Sequence, residues 1–440
     1  MGDAPKTQLK WLCDRDRLSY RRFEKKFTET GVRLFGPDPS NPTCGETQFR
    51  RWTGGRLVHL PGPETCQILE AMWPGFTAEQ LFGPPLDDPQ APAIDLEERV
   101  RMTARNAHDG ADASAASSIS DTTIDELHDQ VVGLAHDYHR LSAVKAYEKA
   151  DSLHEEIDRH RGRTNVPVQQ QALMILHGQT AALLSVAAFD LGYFSHARTF
   201  ARTASLYGES SRFAPLRAFA DGTLAYIAYH TGAATEAVAK VNKALAYGGL
   251  GDIAQRRLHA IQARSYAHLG DVVSAQRAMQ LSEEGNGNRL DDLHDAVGGE
   301  FGFSDERLAM SNSTTALLVG DPVQAEASAR RALSLLEQRP QGDQSAHVRA
   351  SAAADIAQAR LLADDVDGAA EALEPVWDVP VEQRNTGIVL RAARLRRTLA
   401  QPVYHGATLP TQLREQIEEF ARVSPPYRLG PPVSLLAIEG

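Results

Sequence analysis

Apolar side chains recur at intervals of three and four residues along most of the chain, which is the spacing of amphipathic helices. No convincing run alternates apolar and polar residues as a strand does. The pattern therefore predicts an all-α protein, with five short helices at the amino-terminal end. Local signals mark their starts: an N-cap at Ser19, and capping boxes of Thr43 with Glu46 and of Thr77 with Gln80.

Composition divides the chain into three regions. Residues 1–83 form a compact helical set that holds three of the four tryptophans. Residues 84–120 are rich in Pro, Ala, Ser and Asp, with little to bury, and predict a flexible linker. Residues 121–440 are helical almost throughout and predict a second, larger domain.

The larger region contains a repeated turn. Four copies have a glycine followed five residues later by an alanine: Gly192 and Ala197, Gly232 and Ala237, Gly270 and Ala275, Gly320 and Ala325. A fifth copy has Asp365 at the glycine position and Ala370 after it. Such a glycine ends one helix in a left-handed conformation, and the alanine lets the next helix approach closely. Paired helices of this kind stack on one another.

These turn glycines and alanines resemble the tetratricopeptide repeat over about residues 170–380. The resemblance implies an α-solenoid with a concave surface. The copies are spaced more widely than the usual ~34 residues, which implies longer helices or loops such as residues 283–292. A plain helical bundle with chance alanines is the alternative.

Charge is distributed unevenly along the chain. Residues 1–60 hold twelve Lys or Arg and seven Asp or Glu, although the whole chain has a net charge of -11. A basic end on an acidic body suits a protein of which only one end contacts DNA. The three cysteines lack a metal-binding spacing, and no apolar run approaches the ~20 residues of a membrane helix. A cytoplasmic protein that does not enter the membrane is expected.

Three marks in the amino-terminal region resemble bacterial helix-turn-helix regulators of the phage-repressor (XRE-like) type: RRWTGG at 50–55, LPGP at 60–63 and EQLFG at 79–83. The resemblance implies that the second and third helices form the DNA-binding pair. The predicted connection between them, about residues 31–43, is longer than the tight turn of that motif.

Candidate DNA contacts follow from the predicted core. Phe49 and Trp52 should face inward, so the residues that can read base edges are Thr47, Gln48, Arg50 and Arg51. Cations in the first turn of the second helix oppose the helix dipole, and a nearby phosphate explains them better. The phosphate contacts are then expected from Arg21, Arg22, Lys25, Lys26 and Arg56. Solvated surface arginines are the alternative.

Counting back from the turn glycines places five residues on the inner wall of the predicted solenoid: Phe219, Tyr226, Arg257, Arg264 and Arg307. Three arginines and two aromatic rings suit a peptide or a small acidic ligand. Intramolecular salt bridges are an equally favoured alternative. The helix at 124–148 is expected to cap the solenoid or to pair with a second subunit.

The sequence contains neither a nucleophile–base arrangement nor a phosphate-binding loop, so no enzyme activity, cofactor or metal is expected. The residues and the resemblance predict a transcriptional regulator that binds double-stranded DNA as a homodimer and senses a ligand through its repeats. It would work in the cytoplasm, associated with the nucleoid when bound to DNA. The alternative is a tetratricopeptide scaffold for protein–protein interaction with a minor amino-terminal head.

Overall fold

The computed structural model describes residues 5–57, 59–85, 100–108, 118–284 and 288–429. All regular secondary structure in these ranges is helical, as the periodicity predicts. The chain divides into two compact units, Met1–Ala111 and Asp112–Gly440, called the head and the body below. Much of the predicted linker lies outside the described residues, whereas residues 100–108 within it are helical.

The head contains α1 (Gln8–Arg15), α2 (Tyr20–Phe35), α3 (Glu46–Thr53), α4 (Pro63–Met72) and α5 (Ala78–Phe82). Aromatic rings join α2 to α3. The ring of Phe23 lies 4.7 Å from that of Phe49, and the ring of Phe27 lies 6.1 Å from that of Trp52. Trp52 is 2% exposed and also contacts Phe82 of α5. Burying each such ring contributes about 2–3 kcal/mol, so these contacts fix the relative positions of the two helices.

The predicted end of the second helix at Gly31 is wrong. α2 continues through Gly31 to Phe35 and ends at Gly36, whose φ of 84° is left-handed. Gly31 is needed inside the helix for close packing, since a Cβ there would lie 3.1 Å from Ile68 Cδ1 of α4. The connection to α3 therefore shortens to residues 36–45.

One of the two predicted capping boxes is also wrong. α3 begins after Gly45 without a side-chain cap, so Thr43 and Glu46 do not form the box. The chain just before α3 is held instead by packing, because Cys44 is 2% exposed and its carbonyl accepts a hydrogen bond from Tyr20. The box of Thr77 with Gln80 at α5 is confirmed.

The helices of the body are α6 (Asp121–Asp137), α7 (Ala143–Arg161), α8 (Pro167–Asp190), α9 (Phe194–Ser210), α10 (Ala214–His230), α11 (Ala234–Leu245), α12 (Asp252–His268), α13 (Val272–Glu283), α14 (Asp305–Leu318), α15 (Pro322–Glu337), α16 (Ala346–Leu362), α17 (Val366–Ala372), α18 (Glu374–Trp377), α19 (Thr386–Leu399), α20 (Thr408–Val423) and α21 (Pro425–Leu429). Short 3₁₀ turns lie at Tyr138–Arg140, Gln341–Asp343, Val381–Gln383 and Pro402–Tyr404.

Neighbouring helices of the body pack in pairs, and the first helix of each pair also contacts the first helix of the next. These first helices are called the inner helices: α6, α8, α10, α12, α14, α16 and α19. The set closes on itself, because Thr386 Oγ1 at the start of α19 donates to the Asp190 carbonyl at the end of α8, 3.1 Å away. The inner helices from α8 to α19 therefore surround a common interior.

The predicted turn glycines all have left-handed backbones, with φ between 74° and 83° at Gly192, Gly232, Gly270 and Gly320. The alanines five residues later are fully buried, so the close packing predicted for them is confirmed. In the fifth copy the prediction is one residue out. Asp364, with a φ of 60°, occupies the glycine position, and the buried alanine is Ala369.

The connection between α13 and α14 enters the core of the body, whereas the sequence predicted a loop at 283–292. Leu293, Val297 and Phe301 are at most 2% exposed, and the ring of Phe301 lies 5.0 Å from that of Phe219. The Val297 carbonyl is 2.8 Å from His136 Nε2 at the end of α6. Residues 288–304 therefore fill one end of the interior.

The helix predicted at 124–148 is interrupted after Asp137 by the turn Tyr138–Arg140. Its apolar side packs in the main core of the body, so that side is not free for a second subunit: Leu127, Val131, Leu134 and Tyr138.

The expectation that no apolar segment reaches membrane-spanning length is also wrong. α8 has 24 residues and a window of mean hydropathy 1.6, which is long and apolar enough to cross a membrane. Inside the protein, however, 78% of that window is buried. Helices pack around α8 on several sides, which accounts for its apolar composition.

Candidate functional site

Two exposed arginines, Arg21 and Arg22, lie in the first turn of α2. In the described part of the head, the ion pairs are formed by other cations. Ser19 occupies the predicted N-cap position, but its side chain makes no capping hydrogen bond. A helix N-terminus and unpaired guanidinium groups both favour an anion, and this turn offers both.

The start of α3 lies beside this turn. The Tyr20 hydroxyl donates to the Cys44 carbonyl at 3.3 Å, and the Tyr20 ring is 5.7 Å from that of Phe49. These contacts bring the first turns of α2 and α3 to the same part of the head. Side chains from both helices can therefore meet one extended ligand.

The outer side of α3 is polar and solvent-exposed. Thr47, Gln48, Arg50 and Arg51 are all exposed, while Trp52 is buried and Phe49 half-buried. Arg50 Nη2 pairs with Glu46 at 2.6 Å, an exposed contact of little net strength. Among the residues that the structure describes, Arg51 has no ion-pair partner.

The other residues predicted to contact phosphates differ in exposure and in the contacts that they already make. Arg56 follows α3 and is exposed without an ion pair in the described ranges. Lys25 is exposed and lies 3.8 Å from a Glu29 carboxylate oxygen. Lys26 is half-buried, with its ammonium 5.3 Å from the centre of the Trp73 ring. The arginines are thus the cations most available to a partner.

A second arrangement of polar residues lies inside the body. Tyr226 of α10 packs on Phe189 of α8 at 4.8 Å and on Tyr229 at 5.2 Å between ring centroids. Arg264 of α12 donates to the Tyr229 hydroxyl at 3.1 Å and to Ser311 Oγ of α14 at 2.9 Å. One chain of contacts therefore connects four inner helices.

The chain of contacts continues through the remaining inner helices. Thr314 of α14 donates to Asp355 of α16 at 2.7 Å, and Arg391 of α19 donates to both Thr314 and Asp355. α19 in turn reaches α8 through Thr386 and the Asp190 carbonyl. The circuit is closed, and its members are called the inner polar layer: Phe189, Asp190, Tyr226, Tyr229, Arg264, Ser311, Thr314, Asp355, Thr386 and Arg391.

Charged groups in this layer are largely removed from water. Arg264 is 6% exposed, Arg391 8% and Asp355 1%. Asp190 and Tyr226 are only half-buried, as is His347 at the start of α16. Half-buried side chains within a closed circuit indicate that unfilled space remains beside the layer, although residues 288–304 fill the other end of the interior.

The pKa of His347 shows how burial and nearby charges act in this interior. Its Nδ1 lies 3.2 Å from Asn385 Oδ1. Burial, followed by the positive charges of Arg391 and Arg307, lowers the pKa of His347 to about 3. The ring is therefore neutral near pH 7.

The five residues predicted to contact a ligand do not all lie in the same surroundings. Tyr226 and Arg264 belong to the inner polar layer. Phe219 and Arg257 are buried against each other, with the guanidinium carbon 4.1 Å from the ring centre. Arg307 pairs with Glu300 at 3.0 Å. For Arg307 the structure matches the alternative of an intramolecular salt bridge.

Sequence reasoning missed four residues of this interior: Asp190, His347, Asp355 and Arg391. Counting a fixed number of residues back from each turn assumes that every inner helix presents the same turn to the centre. The layer instead moves from the last turn of α8 to the first turns of α19. Of the residues counted, only Tyr226 of α10 and Arg264 of α12 therefore belong to the layer.

Replacement of Asp190 by Asn is expected to stabilise the protein at pH 8 by about 2 kcal/mol. Burial, and then the charge of Glu300, raises the pKa of Asp190 from 3.8 to about 7, although Tyr138 donates to it at 3.0 Å. The native protein therefore loses stability as pH rises from about 4 through 7, whereas Asn does not titrate and still accepts the Tyr138 hydrogen bond.

Urea unfolding between pH 4 and 8 checks this expectation. Asp129→Asn, at an exposed aspartate of α6, is the matched control and should leave the pH profile unchanged. Parallel profiles for the native protein and Asp190→Asn would contradict the raised pKa.

Within the described residues, no group of three or more His, Cys, Asp or Glu side chains could hold a metal ion. No family model and no curated protein matches the chain.

Proposed function

We propose that the chain is a sequence-specific DNA-binding transcriptional regulator. In this proposal the head is a helix-turn-helix domain of the phage-repressor type, and the body is a tetratricopeptide-like solenoid that dimerises and senses a small-molecule or peptide ligand. The protein works in the cytoplasm and is associated with the nucleoid when bound to DNA.

One observation supports DNA binding above the others: the exposed arginines in the first turn of α2 (Arg21 and Arg22) and at or just after the end of α3 (Arg51 and Arg56) have no ion-pair partner among the described residues. An acidic protein that leaves guanidinium groups unpaired on one unit has a surface suited to a polyanion. Arg21, Arg22 and Arg56, with Lys25, would contact phosphates.

Base recognition is assigned to α3. Gln48 and Arg51 project from the exposed side of that helix, where Gln can bind adenine and Arg guanine in a major groove. Thr47 and Arg50 flank them, and Arg50 can exchange its exposed Glu46 partner for DNA at little cost. Lys26 would contribute only to the local potential, because it already lies over Trp73.

A homodimer would carry two heads at the spacing of two half-sites. Exposed apolar side chains at successive turns of the body support an interface there, with Val273 77% and Val323 81% exposed. The same two residues favour the second candidate function, a scaffold that docks another protein. The scaffold predicts a protein partner whose capture does not depend on the arginines of the head.

Arg51→Ala is expected to weaken binding to the preferred duplex by about 1–3 kcal/mol and to relax base preference at one position. The preferred sequence would first be recovered by binding the full chain to genomic fragments and footprinting them. Affinity for that duplex and for random duplex, measured at several salt concentrations, then checks the expectation, because phosphate contacts make binding steeply salt-dependent.

Arg33→Ala is the matched control, since Arg33 is an exposed arginine at the opposite end of α2. It removes the same charge from the same unit and should leave base preference unchanged. Equal affinity of the native protein for every duplex at moderate salt would refute the proposed function.

A further inference from the structure

The inner polar layer contains more buried positive than negative charge. Arg264 and Arg391 are both at least nine-tenths buried, and Asp355 is the one fully buried carboxylate of the layer. Asp355 accepts directly from Arg391, while Arg264 donates to neutral groups of Tyr229 and Ser311. Nearby, Arg307 is neutralised by Glu300. The other carboxylate of the layer, Asp190, accepts a hydrogen bond from Tyr138. Arg264 therefore has no carboxylate partner among the described residues.

The Arg264 side chain also has one hydrogen-bond donor without an acceptor. Its Nε is buried and has no hydrogen-bond partner within the described part of the body. A buried cation without a counter-charge is costly, and so is a buried donor without an acceptor. Both costs disappear if an anion binds beside this guanidinium.

The surroundings of Arg264 favour an anion of a particular kind. Tyr226, whose ring packs between Phe189 and His230 at 4.8 Å and 4.7 Å, offers a half-buried aromatic wall. One guanidinium without a counter-charge calls for one negative charge, which a monocarboxylate carries, whereas a phosphate group carries almost two near pH 7.

We infer that the inner polar layer binds a small monocarboxylic acid with an aromatic or apolar body, the carboxylate at Arg264 and the body against Tyr226. The inference specifies the ligand of the proposed regulator and rests on that proposal only for its biological role. A long peptide is disfavoured, since the layer is enclosed by α8, α10, α12, α14, α16 and α19.

Isothermal titration calorimetry of the full-length chain tests the site with benzoate as the probe. Benzoate should bind saturably with one site per chain, whereas benzamide, the neutral analogue, should bind at least about tenfold more weakly. Inorganic phosphate separates a carboxylate site from a general anion site. Phosphate binding that equals benzoate binding would overturn the assignment to carboxylates.

Arg264→Met keeps the length of the side chain and removes its charge, and it should weaken benzoate binding at least about tenfold. Arg256→Met is the matched control, because Arg256 lies on the same helix and pairs with exposed Asp305. It should change the affinity less than about twofold. Unchanged benzoate affinity in Arg264→Met, or no saturable binding by the native chain, would refute the site.

Crystals grown with 4-bromobenzoate provide a measurement that does not depend on a variant that folds. The anomalous signal of bromine should lie inside the body beside Tyr226, and bromine found only on the outer surface would refute the site. No DNA is present in either experiment. Absence of benzoate binding would therefore not bear on DNA binding by the head. Absence of base preference in the head would likewise not bear on the carboxylate site.

Discussion

Asp355→Asn is expected to lower the free energy of unfolding of the body by about 3–5 kcal/mol, because it leaves buried guanidinium charge without compensation. Asp355 is 1% exposed, accepts from Arg391 at 3.2 Å and accepts from Thr314 at 2.7 Å. Asn keeps the shape but brings an amide donor towards groups that themselves donate. Removal of one member of a buried pair costs more than the pair contributes.

Urea unfolding of the full chain, followed by circular dichroism, measures this loss. Glu418→Gln is the matched control, since its pair with Arg396 is partly exposed and should contribute at most about 1 kcal/mol. A double variant, Asp355→Leu with Arg391→Met, should recover most of the stability by removing both charges together. Equal losses in Asp355→Asn and Glu418→Gln would show that the interior is well solvated.

Much of the fold could be predicted from local chemistry. Helical spacing of apolar residues identifies the helices, because a helix that buries one side must repeat every 3.6 residues. A left-handed turn strongly prefers glycine, so the turns at Gly192, Gly232, Gly270 and Gly320 were visible in the sequence. The box of Thr77 with Gln80 was equally visible, since both of its bonds are made within four residues.

Features that depend on distant residues could not be predicted in the same way. Gly31 resembles a helix end, yet it is a contact point for Ile68 of another helix. Thr43 and Glu46 match a capping box, but burial of Cys44 moves the start of α3. Asp364 adopts a left-handed conformation that Asp tolerates. Because no glycine marks this turn, the sequence placed the fifth turn one residue too late.

The two candidate sites also differ in whether local sequence predicts them. Exposure of Arg51 follows from the helical position of Trp52 one residue later, so a helical count predicts it from sequence alone. The bonds of Arg264 to Ser311, and of Asp355 and Arg391 to Thr314, join four helices that are far apart in the chain. No local pattern contains it, because it depends on where the inner helices meet.

Trp52→Ala is expected to destabilise the head by about 3–5 kcal/mol, a large part of the stability of a domain of this size. Trp52 is 2% exposed, and its ring contacts Phe27 of α2 and Phe82 of α5. The cavity left by an indole cannot close without moving α3, because the surrounding rings already pack against one another. Loss of the α2–α3 arrangement should also abolish the proposed base preference.

Tryptophan fluorescence during urea unfolding reports this loss, since Trp11 and Trp73 remain in the head of the variant. Trp11→Ala is the matched control: Trp11 is half-buried, with the Arg15 guanidinium 5.3 Å from its ring centre, and should cost only about 1 kcal/mol. Unfolding of the body, followed by circular dichroism because most of the helices lie there, should be the same in both variants if the two units unfold independently. Similar losses for Trp52→Ala and Trp11→Ala would mean that the aromatic cluster does not hold α3 in place. The exposed arginines of that helix would then lack the rigid support that base recognition requires.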